Sequence, residues 1–420
     1  MFIETVCEKG SCVGCGNCSN ICPNHAITMN ANAEGFLHPS IDYEKCVNCG
    51  LCEKKCPQNG LFYKECPDLP ETLLVRLKEE NVLRTCASGG ICSLLARHFV
   101  EKKNGFVCGA VYDESFMVKH IVSNEMMDIE KMKSSKYVQS DLGSSFIVIK
   151  KKLAEHCPVL MIGTGCQIYA LKKFLGKEYE NLFCIDVICH GTPSPKVQKE
   201  YIGWLESING KVSEINNRYK KCSAHGYKST YKVVFSNGKL FVNKYVDDPM
   251  ANAFFRHLSI RKSCFDCQFK TVHRISDLTV GDFWFSEMYG MGEDKLGINL
   301  CLIQSDKGKS LLDAVSSWLE VKQIEAETAI VQNGGMIYSS SKASPNRAKF
   351  FEKLGKMPFD KLVFSLDGFS RMDKARNFFS KFFVPLLQKT RYYNNQLKKS
   401  ANARKKRKVP ENKKGLMYYG

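Results

Sequence analysis

Apolar positions along the chain fall into short strand-length runs and longer stretches of helical spacing, and the two alternate. Ile91, Leu94, Leu95, His98 and Phe99 repeat at helical spacing behind Ser88-Gly89-Gly90, which predicts a helix ending at Gly105. Residues 106–113 and 118–123 read as strands. Residues 159–163 and 182–189 are apolar runs, the second holding only Asp186 as a charge, the mark of strands buried on both faces, and a helix over about 167–175 between them completes a β-α-β unit. Ser194-Pro195 opens a further helix that ends near Gly210. Residues 230–235 and 240–242 flank Ser236-Asn237-Gly238-Lys239, a hairpin signal. Strands at 278–285 and 299–304 and a helix at 308–319 follow. The pattern predicts an α/β body with a mostly parallel sheet and a small antiparallel insertion.

Charge and composition narrow the picture. No apolar run reaches the roughly 18 residues of a membrane-spanning helix, and no basic stretch followed by an apolar one opens the chain, so neither a spanning segment nor a secretory signal is expected. The net charge of +18 is concentrated at the end: from Arg371 onward 15 Lys or Arg face only Asp373 and Glu411, leaving +5 for the rest. That distribution argues against a nucleic-acid-binding fold and points to an anionic partner for the tail alone. Phe378, Phe379, Phe382 and Phe383, followed by Arg404-Lys405-Lys406-Arg407-Lys408, fit either peripheral contact with an anionic membrane face or a solvated end. The 21 cysteines are those of a reducing, cytoplasmic compartment, where clustered thiols serve metal or redox chemistry.

Cys12, Cys15, Cys18 and Cys22-Pro23 are followed, 34 residues on, by Cys46, Cys49, Cys52 and Cys56-Pro57, one C-x2-C-x2-C-x3-C-P run written twice. Three thiolates spaced by three wrap one cluster, and the fourth, turned away by the proline, reaches the other. This predicts Cys12, Cys15 and Cys18 with Cys56, and Cys46, Cys49 and Cys52 with Cys22. Residues 26–29 and 39–42 read as the short strands of a two-cluster 4Fe-4S ferredoxin, which residues 1–62 resemble; zinc sites use separated C-x2-C pairs instead. Cys7 and Cys66 lie outside both runs and read as spectators. Two clusters in so long a chain imply a relay to a further redox centre.

A second resemblance rests on Ala87-Ser88-Gly89-Gly90, Ser135-Lys136-Tyr137-Val138-Gln139-Ser140, Gly163-Thr164-Gly165-Cys166-Gln167-Ile168, Ile188-Cys189-His190-Gly191-Thr192-Pro193, Cys264-x2-Cys267 and Ser276-Asp277-Leu278-Thr279-Val280-Gly281-Asp282-Phe283-Trp284. Over about residues 80–355 these motifs resemble the beta subunit family of deazaflavin (coenzyme F420) hydrogenases and dehydrogenases. The family often has Pro where this chain has Gly165. The resemblance implies an iron-sulfur flavoprotein moving electrons between one-electron carriers and a hydride acceptor. The expected organisation is a ferredoxin domain at 1–66, an N-terminal α/β part at 72–155, a catalytic part at 156–355 and a basic tail at 356–420.

Within the resemblance, Cys166, Cys189, Cys264 and Cys267 form a third set of four. They are expected to hold a third 4Fe-4S cluster, the alternative being buried apolar cysteines beside a structural zinc pair. Ser88, Gly89 and Gly90 at a helix start offer backbone N–H groups to the phosphates of a flavin, FAD, or form a plain helix cap. Lys136 is a candidate to stabilise an anionic flavin or substrate, Asp282 a residue reaching a cleft from a strand end, and His190 a proton donor or a partner of Cys189. The expected partners are a soluble one-electron carrier or a redox subunit, and a small-molecule hydride acceptor. A non-catalytic electron-transfer subunit is the alternative.

Overall fold

Two pseudo-symmetric cysteine loops open the chain, each followed by a short helix, Asn17–Ile21 and Leu51–Lys54. Strands β1 (Ile27–Ala31) and β2 (Leu37–Ile41) lie antiparallel between them, with Ile27 opposite Ile41. The computed structural model describes residues 2–60, 68–223, 226–283, 289, 291, 296–333 and 336–366; Cys66, Trp284 and the basic segment from Arg371 lie outside them.

The body is built on a nine-stranded sheet. Its strands are β3 (Thr72–Leu77), β4 (Phe106–Tyr112), β5 (Val118–Ser123), β6 (Ser140–Asp141), β7 (Val159–Thr164), β8 (Leu182–Val187), β12 (Leu278–Phe283), β13 (Ile298–Ile303) and β14 (Leu319–Ile324). Their order is β14-β3-β13-β12-β8-β7-β4-β5-β6. The neighbours β12, β8, β7 and β4 are parallel, as the apolar runs predicted, and the β7–β8 ladder runs from Val159 opposite Leu182 to Thr164 opposite Val187. The expectation of a mostly parallel sheet needs correction, because β13, β3 and β14 pair antiparallel throughout and β5 pairs antiparallel with β4 while pairing parallel with β6. A tight turn is one cause: the Asp113 carboxylate takes the N–H groups of Ser115 and Met117 and folds β5 back onto β4.

Helix Ile91–Lys103 buries Ile91, Leu95 and Phe99 against this sheet, and Asn104 ends it in the left-handed conformation. The helix expected over 308–319 is Asp306–Val315, capped by Ser305; a 3-10 turn and then β14 use the remaining apolar positions, Leu319 among them. The antiparallel insertion is a three-stranded sheet of β9 (Val212–Ser223), β10 (Gly226–Phe235) and β11 (Leu240–Lys244). The β10–β11 turn is the predicted one, closed by the Phe235 N–H on the Lys239 carbonyl. β9, the long strand of the insertion, has no clean alternation to predict it.

The ferredoxin loops are fastened to the body by buried polar contacts. Asn17, fully buried, donates from Nδ2 to the carbonyls of Lys55 and Ala170. The guanidinium of Arg347 makes a two-pronged pair with Glu34, at 2.8 Å for Nη1 and Oε1.

Candidate functional site

The predicted crossed sets of cysteines are brought together. Cys22, Cys46, Cys49 and Cys52 line one cavity of about 120 Å³ beneath Ile27 and Ile41. Cys49 of this distal set is exposed, Val47, also exposed, lines the same cavity, and the exposed Tyr43 ring precedes Cys46 in the chain. The proximal set lies against the body, with Cys15 buried among Ile168, Ala170 and Leu171. Burial pushes the Cys18 thiol up to about 12 and the Cys56 thiol to about 11, and each of the two is raised further by Cys12. Cys7, read as a spectator, is more closely engaged: Cys7, Cys12 and His38 offer ligand atoms all within 4.8 Å of one another. Hydrogen bonding from Cys7 holds the Cys12 thiol down, to about 6.

The third set converges as well. A capping box fixes Cys166: Thr164 and Gln167 close the start of helix Gly165–Leu175, with the Thr164 N–H on Gln167 Oε1 at 2.9 Å. Gly165 is thus the first residue of that helix, the position where proline is also favoured. Cys189 follows β8, and Cys264 and Cys267 belong to the 3-10 turn Lys262–Asp266 and its end. Burial raises Cys166, and the charges of Cys267, Cys189 and Cys264 raise it further. Burial lifts Cys264 to about 12, again with Cys189 and Cys267 adding to it. Thiols that disfavour each other's ionisation suit a positive centre that takes them all as thiolates. Asp266, between the paired cysteines, is exposed.

Cys166, Cys189 and Asp282 stand at the carboxyl ends of the parallel strands β7, β8 and β12, where open α/β sheets bind ligands. Asp282 is held by Arg218 of β9, Nη1 to Oδ2 at 2.8 Å and Nη2 to Oδ1 at 3.0 Å. Arg218 also donates to the Ala87 carbonyl, and Lys220 to that of Ser88 at 2.7 Å; the Gly89 carbonyl accepts from Leu77. In a trans peptide the N–H points opposite to the carbonyl. The N–H groups of Ser88, Gly89 and Gly90 therefore turn away from β9 and β3, and no acceptor among the described residues takes them. Gly89 is required by packing: a Cβ there would lie 2.4 Å from the Val75 carbonyl oxygen and 2.5 Å from Asn299 N. The following Ile91 N–H is taken by Asn299 Oδ1.

Lys136 lies elsewhere than expected, and His190, beside Cys189, is paired with a second histidine. Lys136 Nζ is directed at the carbonyls of Met132, Lys133 and Ser134, at 3.2, 2.8 and 3.3 Å, where it caps helix Met126–Met132. Burial pushes its amine down to about 7. This cage corrects the expectation of an anion-stabilising role, since the donors are spent on the chain itself. His190 Nε2 is 2.9 Å from His257 Nε2, one ring N–H donating to the other ring nitrogen. Burial, then His257 and Lys270, holds His190 down to about 4, so the pair is neutral.

The residues missed by sequence reading are the ones that hold the site together: Arg218, Lys220, His257 and Arg261. Arg261 closely precedes Cys264, and a basic neighbour of a cysteine pair stands out only with the fold in hand.

Two family models match. Residues 11–59 match the 4Fe-4S dicluster domain, and residues 156–327 match the C-terminal region of the coenzyme F420 hydrogenase/dehydrogenase beta subunit. The chain is 22% identical over 326 residues to the coenzyme F420-dependent sulfite reductase of Methanocaldococcus jannaschii, covering 74% of this chain and 47% of that protein. It thus spans about half the length of the curated relative it matches. A chain of the F420-reducing NiFe hydrogenase complex from Methanosarcina barkeri aligns at a TM-score of 0.43 and 15% identity, over 69% of this chain and 95% of that one. No helix among the described residues is long and apolar enough to cross a membrane.

Proposed function

We propose that the chain is an iron-sulfur electron-transfer oxidoreductase of the coenzyme F420 hydrogenase/dehydrogenase beta-subunit kind, a three-centre relay feeding a flavin that exchanges a hydride with a deazaflavin or another small molecule; the two family-model matches support the reading. The observation that carries this reading is the order of the three cysteine sets, from the exposed Cys49 through the buried Cys15 to the half-buried third set at the carboxyl edge of the sheet. Electrons from a one-electron carrier or a partner redox subunit enter at the distal set, where Tyr43 and Val47 offer an apolar contact.

Spacing favours clusters over zinc. Tetrahedral zinc with bonds near 2.3 Å puts its sulfurs about 3.8 Å apart. Among the described residues the trio with ligand atoms within 4.8 Å is Cys7, Cys12 and His38, so no three thiols of the third set approach that closely. A larger core suits them better, and Cys166, Cys189, Cys264 and Cys267 are its proposed ligands.

When bound, a flavin supplies the conversion between one-electron and two-electron transfer. The N–H groups of Ser88, Gly89 and Gly90 fit its phosphates, as a run of backbone donors at a helix start that no acceptor among the described residues takes. Arg218 and Lys220 keep that loop in shape, and Asp282 orients Arg218. The neutral His190–His257 pair, beside Cys189, shares one N–H between its Nε2 atoms, and a proton delivered to it from outside would be accepted at the free ring nitrogen of the donor histidine. From Arg371 onward, contact of the basic tail with an anionic membrane face rests on composition alone; co-sedimentation with anionic vesicles, full-length against a chain ending at Ser370, tests it.

The deciding experiment is anaerobic reconstitution with iron and flavin counts. About twelve irons and one flavin per chain are expected. Eight irons, unchanged by Cys264→Ser, would remove the third centre. Absence of any flavin band after reconstitution with FAD would leave a non-catalytic electron-transfer subunit.

A further inference from the structure

Arg261 is 3% exposed, and its guanidinium meets only neutral acceptors. Nε donates to the Cys12 carbonyl at 2.7 Å, Nη2 to the Leu37 carbonyl at 2.9 Å and Nη1 to Gln139 Oε1 at 3.2 Å. The Phe36 ring lies 5.2 Å away. No carboxylate among the described residues pairs with it. A buried cation with neutral partners alone is strongly disfavoured unless opposite charge stands nearby. What adjoins it is the backbone of two cysteine sets: the Cys12 carbonyl of the proximal set takes its Nε, and the N–H of Cys264 of the third set donates to the Arg261 carbonyl at 3.0 Å. Gly14, with φ +66°, makes room for it: a Cβ there would fall 2.7 Å from Nη1.

We propose that Arg261 is the positioning cation shared by the proximal cluster and the third centre, raising the reduction potential of both and linking them by hydrogen bonds. The inference rests on the cluster reading above. Thiolate-ligated clusters carry net negative charge that grows on reduction, so a neighbouring cation favours the reduced state. In the step it serves, one electron passes from the reduced proximal cluster to the oxidised third centre, and no bond is made or broken. The distal set, out of contact with Arg261, is the internal reference.

The test is a redox titration followed by electron paramagnetic resonance on the full chain, wild type beside Arg261→Gln and Arg261→Lys, with iron counted in each. Arg261→Gln should lower the proximal and third potentials by a tenfold change in the reduction equilibrium, about 59 mV for a one-electron couple, and leave the distal potential in place. Arg261→Lys should stay near wild type, because it keeps the charge while losing the fork. Unchanged potentials in Arg261→Gln, or an equal shift at all three centres, would overturn the proposal. If Arg261→Gln fails to retain iron, Arg261→Lys decides: full iron and wild-type potentials support the role of charge, and equal loss of iron refutes it. A wild-type count of eight irons removes the third centre from the reading, yet the proximal shift still tests Arg261.

Discussion

Arg218 and Asp282 form a two-pronged ion pair between β9 of the insertion and the end of β12, 64 residues apart, with the two side chains 10% and 23% exposed. The pair ties the antiparallel insertion to the carboxyl edge of the main sheet, and its arginine reaches on to the Ala87 carbonyl. Asp282 therefore acts through Arg218 on the loop that precedes Ser88.

Asp282→Asn should lose one charge-assisted contact and about 2 kcal/mol of stability. It should weaken FAD binding while leaving the iron content intact. Thermal unfolding and flavin titration of the same sample check both halves. Tight FAD binding together with lost turnover would instead make Asp282 a residue that touches the reacting atoms.

The crossed ligand sets predict an asymmetric response to single cysteine changes. Cys56→Ala should damage the cluster held by Cys12, Cys15 and Cys18, although Cys56 belongs to the second run. Cys22→Ala should damage the exposed one, since Cys22 lines the same cavity as Cys46, Cys49 and Cys52. The proximal and distal signals are separable by their access to a soluble oxidant such as ferricyanide. Loss of the distal signal in Cys56→Ala would show the pairing to be uncrossed.

The two cysteine runs and the strands β7 and β8 were legible because each is written in consecutive residues: fixed thiol spacing in one case, apolar stretches with Asp186 as the one charge in the other. The antiparallel strands flanking the sheet were not. β3, close after the ferredoxin domain in sequence, pairs with β13 and β14 more than 200 residues later, a choice that local pattern does not encode. The third cysteine set was visible only through motifs, because its members come from three separate segments. Polar residues such as Arg218, Lys220 and Arg261 belong to no sequence motif. Their meaning lies in long-range contacts with carbonyls and a carboxylate, and Lys136 misled for the same reason, its partners being carbonyls that no sequence pattern reveals.

The loop at Ser88–Gly90 predicts a preference among flavins. If its backbone N–H groups hold phosphate oxygens, FAD and FMN should bind the reconstituted chain far more tightly than riboflavin. Two charge-assisted hydrogen bonds at about 1.5 kcal/mol each correspond to a difference on the order of a hundredfold in Kd. Inorganic pyrophosphate should compete with FAD and not with riboflavin. Equal affinity for the three flavins, measured by fluorescence quenching, would reduce the glycine pair to the packing role that Gly89 already has against Val75 and Asn299.

Lys136 gives a pH signature that separates its structural role from a chemical one. Burial lowers its amine from 10.5 to about 7 in the folded chain. Between those values the unfolded chain binds the extra proton, so wild-type stability should rise with pH across about 7 to 10.5 as the cost of burying the charge disappears. The slope has an upper limit of about 1.4 kcal/mol per pH unit, reduced by the three carbonyls that favour the ammonium form. Lys136→Met loses the cap and is offset downward at every pH, but it lacks this titration, so the wild type should pull further ahead of it from pH 7 to 9.5. Chemical denaturation at several pH values in that window measures the gap. A constant gap would mean that the amine stays charged in its carbonyl cage, and a loss of turnover without any change in unfolding would return Lys136 to the chemistry.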